Sequence, residues 1–290
     1  MKTLNRYLMD TYGKKMYKLS LNGGMTCPNR DGKVGTGGCL FCSAGGSGDF
    51  TPSPVLSMDE QIARAKAMIA DKCNDETQYI AYFQAYTNTY APVERLRELF
   101  EPVIRREDIA ILSIATRPDC LSDEVVALLA ELNRIKPVWV ELGLQTIHEK
   151  GALEMRRGYS LPVFDDAVER LKQAGIRVIV HLILYWPGES EEDMLASVRY
   201  VAGKGVFGIK LQLLQVLRGT GLADWYEKDE FPLPSLEEYG IFLKKALAEL
   251  PEDMVVHRIT GDGPKKLLIA PLWCADKKKV MNYLKKELEM

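Results

Sequence analysis

No run of 18 or more apolar residues occurs in this 290-residue sequence, so no segment reads as a membrane-spanning helix. The opening segment MKTLNRYLMDTYGKK lacks the apolar stretch of a secretory signal, and the expected compartment is the cytoplasm. Histidine is rare, with three residues at 148, 181 and 257, and cysteine is sparse, with six. Six cysteines are too few for a disulfide scaffold of this size. A dominant charge is missing as well. The 38 Lys and Arg against 40 Asp and Glu leave −2, which does not by itself mark a nucleic-acid binder. Internal repeats and low-complexity linkers are absent. With 47% hydrophobic and 27% charged residues, what remains is a folded chain of one domain, alone or with a modest extension.

Charge is distributed unevenly. Residues 1–33 carry seven basic residues (Lys2, Arg6, Lys14, Lys15, Lys18, Arg30, Lys33) against Asp10 and Asp31, which is +5 and leaves −7 for the remainder. Residues 1–20 therefore read as a basic arm beside the cysteines, either steering a polyanion or simply solvated.

Short β-branched apolar runs alternate with helical patterns. Strands are expected at 16–21, 79–84, 109–116, 138–145, 177–185 and 208–216, and helices near 58–72, 93–106, 122–134, 162–174 and 190–203. Nearly continuous apolar strands between helices imply parallel βα units covered on both faces. Six units are too few for a closed eightfold barrel, so the pattern leaves an open doubly wound sheet or a partial (β/α)6 barrel. In both, chemistry collects at the C-terminal strand ends. The pattern changes after about residue 220. The core is expected over 1–220, and 221–290 is expected to form an α/β extension with a helix at 235–249, a short strand at 255–260 and a basic last helix.

Three cysteines crowd into the segment Cys27-PNRDGKVGTGG-Cys39-LF-Cys42, directly after the first strand. Thiolates at this density suit an iron–sulfur cluster or zinc. A structural zinc site wants four protein ligands, and neither His nor a fourth Cys stands nearby. Three thiolates on a [4Fe–4S] cluster would leave one iron open to an outside ligand. Spacing favours the cluster, with zinc held by a distant ligand and plain buried thiols as the alternatives. Cys73 and Cys274 read as packing residues, and Cys120, closing the third strand, as a substrate-side candidate.

The cysteine block, its place after the first strand and the six βα units resemble the radical S-adenosylmethionine (SAM) superfamily. The segments CPNRDG, YFQAYTNTYAP, SIATRPDCLSD, ELGLQTIHEK, HLILYWPGE, GIKLQLLQVLRGTGLA and HRITGDGPKKLLIAPLW follow one another from 27 to 273. They are similar to the YhcC/YtqA-type branch, itself similar to the Elongator-type radical SAM domain. The resemblance implies an α/β fold, a partial (β/α)6 TIM-like barrel with a C-terminal α/β extension. It implies that Cys27, Cys39 and Cys42 hold a [4Fe–4S] cluster that cleaves SAM to a 5′-deoxyadenosyl radical.

It also implies SAM contacts. Phe41 would lie by the adenine, and Gln84, Tyr86, Thr87 and Asn88 by the amine. Glu141, on the same side of its strand as Gln145, would meet the ribose, or else a structural ion pair. Arg157 would reach the carboxylate through its guanidinium fork. Thr116, His181 and Gln215 complete the expected cofactor wall. Asp119, Cys120, Lys210 and His257 are substrate-side candidates. Relatives carry a Gly-Leu pair where Tyr185 and Trp186 stand, and often His at the positions of Gln212 and Gln215, where an amide cannot titrate.

The expected function is that of a radical SAM enzyme acting on a tRNA nucleoside, the side chain of a wobble uridine, with an external one-electron donor and no membrane partner. A small-molecule or peptide substrate is the alternative. A metal- or cluster-bearing binding protein without SAM turnover is the alternative from another class.

Overall fold

The computed structural model describes residues 1–74, 76–229 and 231–289. It begins with β1 (Lys2–Thr3), α1 (Leu4–Tyr12) and β2 (Tyr17–Leu21), and a long cysteine-bearing loop leads to α2 (Met58–Ala67). Four βα units follow: β3 (Tyr79–Phe83) with α3 (Val93–Ile104), β4 (Ile109–Thr116) with α4 (Asp123–Asn133), β5 (Val138–Gln145) with α5 (Glu149–Glu154) and α6 (Leu161–Gln173), and β6 (Arg177–Leu184) with α7 (Glu191–Gly203). The chain ends with β7 (Gly208–Leu213), β8 (Val216–Leu217), α8 (Gly221–Lys228), α9 (Leu236–Ala248), β9 (Val255–Arg258), β10 (Leu268–Ala270) and α10 (Lys277–Glu287). Among the described residues no helix is long and apolar enough to cross a membrane.

Eight parallel strands form one sheet in the order β1-β9-β7-β6-β5-β4-β3-β2, curled into a half-barrel, and β8 pairs antiparallel with β10. Alternation along each strand divides the residues. Leu112 and Ile114 of β4, Val138, Val140 and Leu142 of β5, and Val178, Val180 and Leu182 of β6 face the helices in one large apolar core. The opposite positions (Ser113, Trp139, Glu141, Gly143, His181) face the barrel interior. Serines at the starts of α2, α7 and α9 close capping boxes that fix where those helices begin.

One expectation is corrected here. Residues 1–20 are not an arm beside the cysteines. Thr3 caps α1, Gly13 ends it at φ 68°, and Tyr7 and Leu8 bury beneath the barrel with Ile80, Ile111, Trp139, Ile179 and Val255. Tyr7 meets Phe207 edge to face at 5.0 Å and Trp139 at 6.1 Å. Thus α1 plugs the N-terminal ends of the strands, and Lys14 and Lys15, just before β2, lie on that side and not at the mouth. Residues 221–290 add β9 to the main sheet, between β7 and β1, and α9 and α10 pack on the same apolar core.

Candidate active site

The loop from β2 to α2 carries the three cysteines to the C-terminal end of the barrel. The Cys27 carbonyl accepts from the Arg30 and Asp31 amides, and Cys42 N–H donates to the Cys39 carbonyl at 3.0 Å. Asn29 donates its amide to Cys39 Sγ (3.3 Å) and to the Arg156 carbonyl (2.5 Å), while Arg30 Nη2 holds the Ser43 carbonyl at 2.6 Å. Gly38 sits at φ 83°, and a Cβ there would stand 2.9 Å from Arg30 Nε. At Gly46 a Cβ would stand 2.2 Å from the Tyr86 ring. Leu40, between Cys39 and Cys42, donates to Met155 O and accepts from Leu222 N–H, which ties the loop to α5 and α8.

All three thiols are free and line one cavity of about 250 Å³ at the barrel mouth. Burial, reinforced by Cys42, pushes the Cys39 thiol up to about 12, and burial raises Cys42 against the pull of Arg30. Occupation by a metal centre must therefore release protons.

Of the expected cofactor residues, Phe41, Gln84, Tyr86, Thr87, Thr116, Glu141, Gln145, Arg157, His181 and Gln215 line this cavity, and Lys210 joins them from the substrate-side set. Many already have protein partners. Gln84 donates to Ser47 O (2.7 Å), Tyr86 to Ala44 O (2.6 Å), and Thr116 and Thr89 share a hydroxyl contact of 2.5 Å. Arg157 spends Nε on Tyr159 O (3.1 Å) and Nη1 on the Leu144 and Thr146 carbonyls (3.0 and 2.6 Å). Only Arg157 Nη2 is left without a partner, so a two-toothed grip by the whole fork is not available. Gln215 accepts from Gly263 N–H at 2.7 Å and braces the turn after β9.

Asn88, Asp119, Cys120 and His257 do not line the cavity. Asn88 clips Phe83 O to Ala115 O, and Asp119 clamps Arg117 through both oxygens (2.9 and 2.7 Å). Cys120 lies beside Asp119 at 3.9 Å, and burial raises it to about 12. His257 points down to the floor between Trp139 and Phe207 because β9 is a barrel strand; burial keeps it well below the ordinary imidazole range.

Beneath the mouth lies a charged layer. Glu141, fully buried, accepts from Lys18 Nζ, Ser113 Oγ and His181 Nε2 at 2.7 Å each, and pairs with Lys210. Burial alone would raise its carboxyl; Lys18 and Lys210, with His181, overcome that and hold it well below the usual range. Burial and the nearby Lys210 lower His181 to about 4 despite Glu141. Lys210 Nζ also meets Tyr82 Oη at 3.2 Å. At Glu141 the structure therefore contains the structural ion pair that stood as the alternative to a ribose contact.

Sequence reasoning missed Tyr82, Ser113, Asn29 and Tyr159, and counted Lys18 and Arg30 only among the basic residues of 1–33. Lys18 and Ser20 alternating with Leu19 and Leu21 already mark a polar inner face, and CPNRDG contains Asn29 and Arg30. Tyr159 instead depends on distant Arg117, which joins neighbouring Arg157 in stacking on its ring at 5.1 and 4.7 Å.

The radical SAM superfamily model matches residues 29–201, and the radical SAM C-terminal domain model matches 206–290. The chain belongs to the radical SAM superfamily. It is a radical SAM enzyme by this membership. It is 46% identical over 287 residues to the uncharacterised protein YtqA of Bacillus subtilis strain 168, covering 99% of this chain and 89% of YtqA. It is 28% identical over 162 residues to the tRNA uridine(34) acetyltransferase of Methanocaldococcus infernus, covering 54% of this chain and 30% of that protein. The structure of archaeal Methanocaldococcus infernus Elp3 with an N-terminal deletion shares the fold at TM-score 0.67 and 18% identity, over 94% of this chain and 63% of that one. Members of the superfamily normally bind a [4Fe–4S] cluster and SAM.

The residues present fit those groups. Buried Arg30 Nε, Gln145 Oε1 and Arg157 Nη2 line the cavity without a partner, as polar atoms awaiting a ligand would. Among the described residues no three His, Cys, Asp or Glu side chains converge on a single ion.

Proposed function

We propose that this radical SAM enzyme modifies a tRNA nucleoside, the side chain of a wobble uridine, in the cytoplasm and with an external one-electron donor. The observation that carries the reading is the setting of the cavity. The thiol loop forms one side of its mouth and the turn Gly261–Gly263 the other, and Lys277 of α10 meets Asp262 of that turn at 3.0 Å. Lys265, Lys266, Lys278 and Lys279, near Asp262 and Lys277 in the chain, are exposed and would extend a basic rim. Phosphates of a large polyanion would meet the rim while one base enters the cavity. The distant likeness to a tRNA uridine(34) enzyme supports the same substrate.

When bound, the cluster and SAM supply one-electron chemistry that removes a hydrogen atom from the substrate. Cys27, Cys39 and Cys42 would hold the cluster, each losing its proton. Arg157 Nη2 would contact the SAM carboxylate with one donor while its other nitrogens keep the β5 loop in place. Gln145 Oε1 would accept from SAM, and Gln84, Tyr86 and Thr87 would shape the wall beside it. Glu141, held by four partners, would fix Lys18, Lys210 and His181 as a floor that keeps bulk water from the reacting centre.

The test is anaerobic reconstitution followed by incubation with SAM, dithionite and bulk tRNA lacking the modification, read by nucleoside mass spectrometry. About four irons per chain, equimolar 5′-deoxyadenosine and methionine, and one altered tRNA nucleoside are expected, all lost in Cys39→Ala. SAM cleavage that leaves every tRNA nucleoside unchanged would refute the RNA substrate. Stoichiometric zinc without iron would refute the cluster.

A further inference from the structure

One guanidinium in the polar interior of the barrel lacks a close partner. Lys18 and Lys210 both pair with Glu141, and burial holds the Lys210 ammonium well below its usual range. Asp262 is already shared with Lys277. That guanidinium is Arg258. Lys18 meets its carboxylate at 2.7 Å, whereas Arg258 reaches Asp262 and Gln212 only at 3.5 Å each. Charge-assisted bonds lie near about 2.8 Å, so most of this guanidinium's capacity is unspent. It lines the cavity with its side chain 28% exposed.

The backbone aims it there. β9 pairs with β7 as Val255 with Gly208 and Val256 with Ile209; the register then shifts, and Arg258 rather than His257 stands opposite Lys210. Two residues of β9 face one of β7, which is a bulge, a device that redirects a side chain. Strict alternation would send Arg258 outward with Val256. The bulge instead sets it in an inner row across three strands, His181, Lys210 and Arg258. A guanidinium so placed, with only distant partners, is matched to an anion entering from the cavity.

We propose that Arg258, seconded by Lys210, forms a subsite for a single carboxylate of the substrate, on the β6–β7–β9 side of the cavity and away from the cysteine loop. A single planar fork matches the two oxygens of a carboxylate. The inference rests on the reading that the substrate shares this cavity with SAM.

The experiment uses reconstituted enzyme saturated with SAM and kept without reductant, so that only binding is read. Calorimetric titration compares two matched pairs: 5-carboxymethyluridine with 5-carbamoylmethyluridine, and N-acetylglycine with N-acetylglycinamide. Each acid is expected to bind roughly tenfold or more tightly than its amide. Arg258→Gln should erase that preference and Arg258→Lys should keep part of it. Thermal melts confirm that both variants fold, since Arg258 makes no short contact. Failure of both nucleosides with the N-acetylglycine preference intact leaves the subsite standing and refutes the nucleoside reading. Equal binding of acid and amide, an undiminished preference in Arg258→Gln, or no binding by either pair at tens of millimolar overturns the subsite. So does weakened SAM binding in Arg258→Gln with the acid preference kept, which would assign the arginine to the cofactor.

Discussion

At the floor of the barrel, Tyr7, Trp139, Phe207 and the His257 ring meet edge to face, and α1 shuts them from water. At the mouth, left-handed backbone recurs at non-glycine residues: Tyr86 just after β3, Gln145 at the end of β5 and Tyr185 just after β6, at φ 59°, 70° and 66°. Such conformations cost of order 1 kcal/mol or more and persist where surrounding structure enforces them. The same strands thus end in packed aromatics below and in strained turns around the cavity above. Stability and chemistry are separated along the strand axis, which lets either end be perturbed alone.

The largest effect should come from the floor. Trp139→Ala removes a fully buried indole and should cost about 3–5 kcal/mol in denaturant unfolding. Iron bound per folded chain should stay at the parent value; a proportional loss of iron would break the separation of the two ends.

Between floor and mouth, His181 titrates in the fold near 4 against an ordinary value near 6.5. As pH falls, the unfolded chain takes up this proton first. Stability is therefore unaffected above about 6.5 and declines from there to about 4, by on the order of 3 kcal/mol. Unfolding free energies measured across this range should flatten in His181→Gln.

For RNA binding the two ends should differ in salt dependence. Replacing Lys277, Lys278 and Lys279 with Ala should flatten the logarithmic salt slope of tRNA affinity by up to about three units. Lys14→Ala with Lys15→Ala, at the opposite end, should leave the slope unchanged. Equal effects would mean that RNA reaches both faces.

The smallest effect is expected at Tyr185→Gly. Glycine adopts φ 66° without strain, but the Tyr185 ring packs on Phe242 and Tyr239 of α9 at 5.5 and 6.1 Å. The two contributions offset, so thermal stability should move by about 1 kcal/mol or less, while protease cleavage near α9 should quicken.

Much of this was legible in the sequence. The six expected strands and five expected helices form within a few residues of their expected bounds, because each carries its own periodicity. The partial barrel followed from the family resemblance. The pairing of Lys2 and Thr3 with Val255 and Val256 was not legible, since two-residue β1 has no pattern of its own and its partner lies 253 residues away. The basic composition around α1 hid Tyr7 and Leu8, the residues that make it a plug. At the site, the side chains near the cysteines were visible as types, but not their states. Asn88 and Asp119 look like ligand contacts until their hydrogen bonds to the protein's own backbone and to Arg117 are seen. Arg258 faces inward only because of a register shift that no local pattern encodes.

The pairing of β1 with β9 also dictates when the barrel can be completed. Synthesis at about 5–20 residues per second brings out Val255 some ten to fifty seconds after Lys2. During that interval β1 has no partner strand, and α1 has only part of the surface it will cover. Tyr7, Leu8, Trp139 and Phe207 remain within reach of water and of other nascent chains. The floor, though it begins at the first strand, therefore cannot close until all of the chain but β10 and α10 has been made.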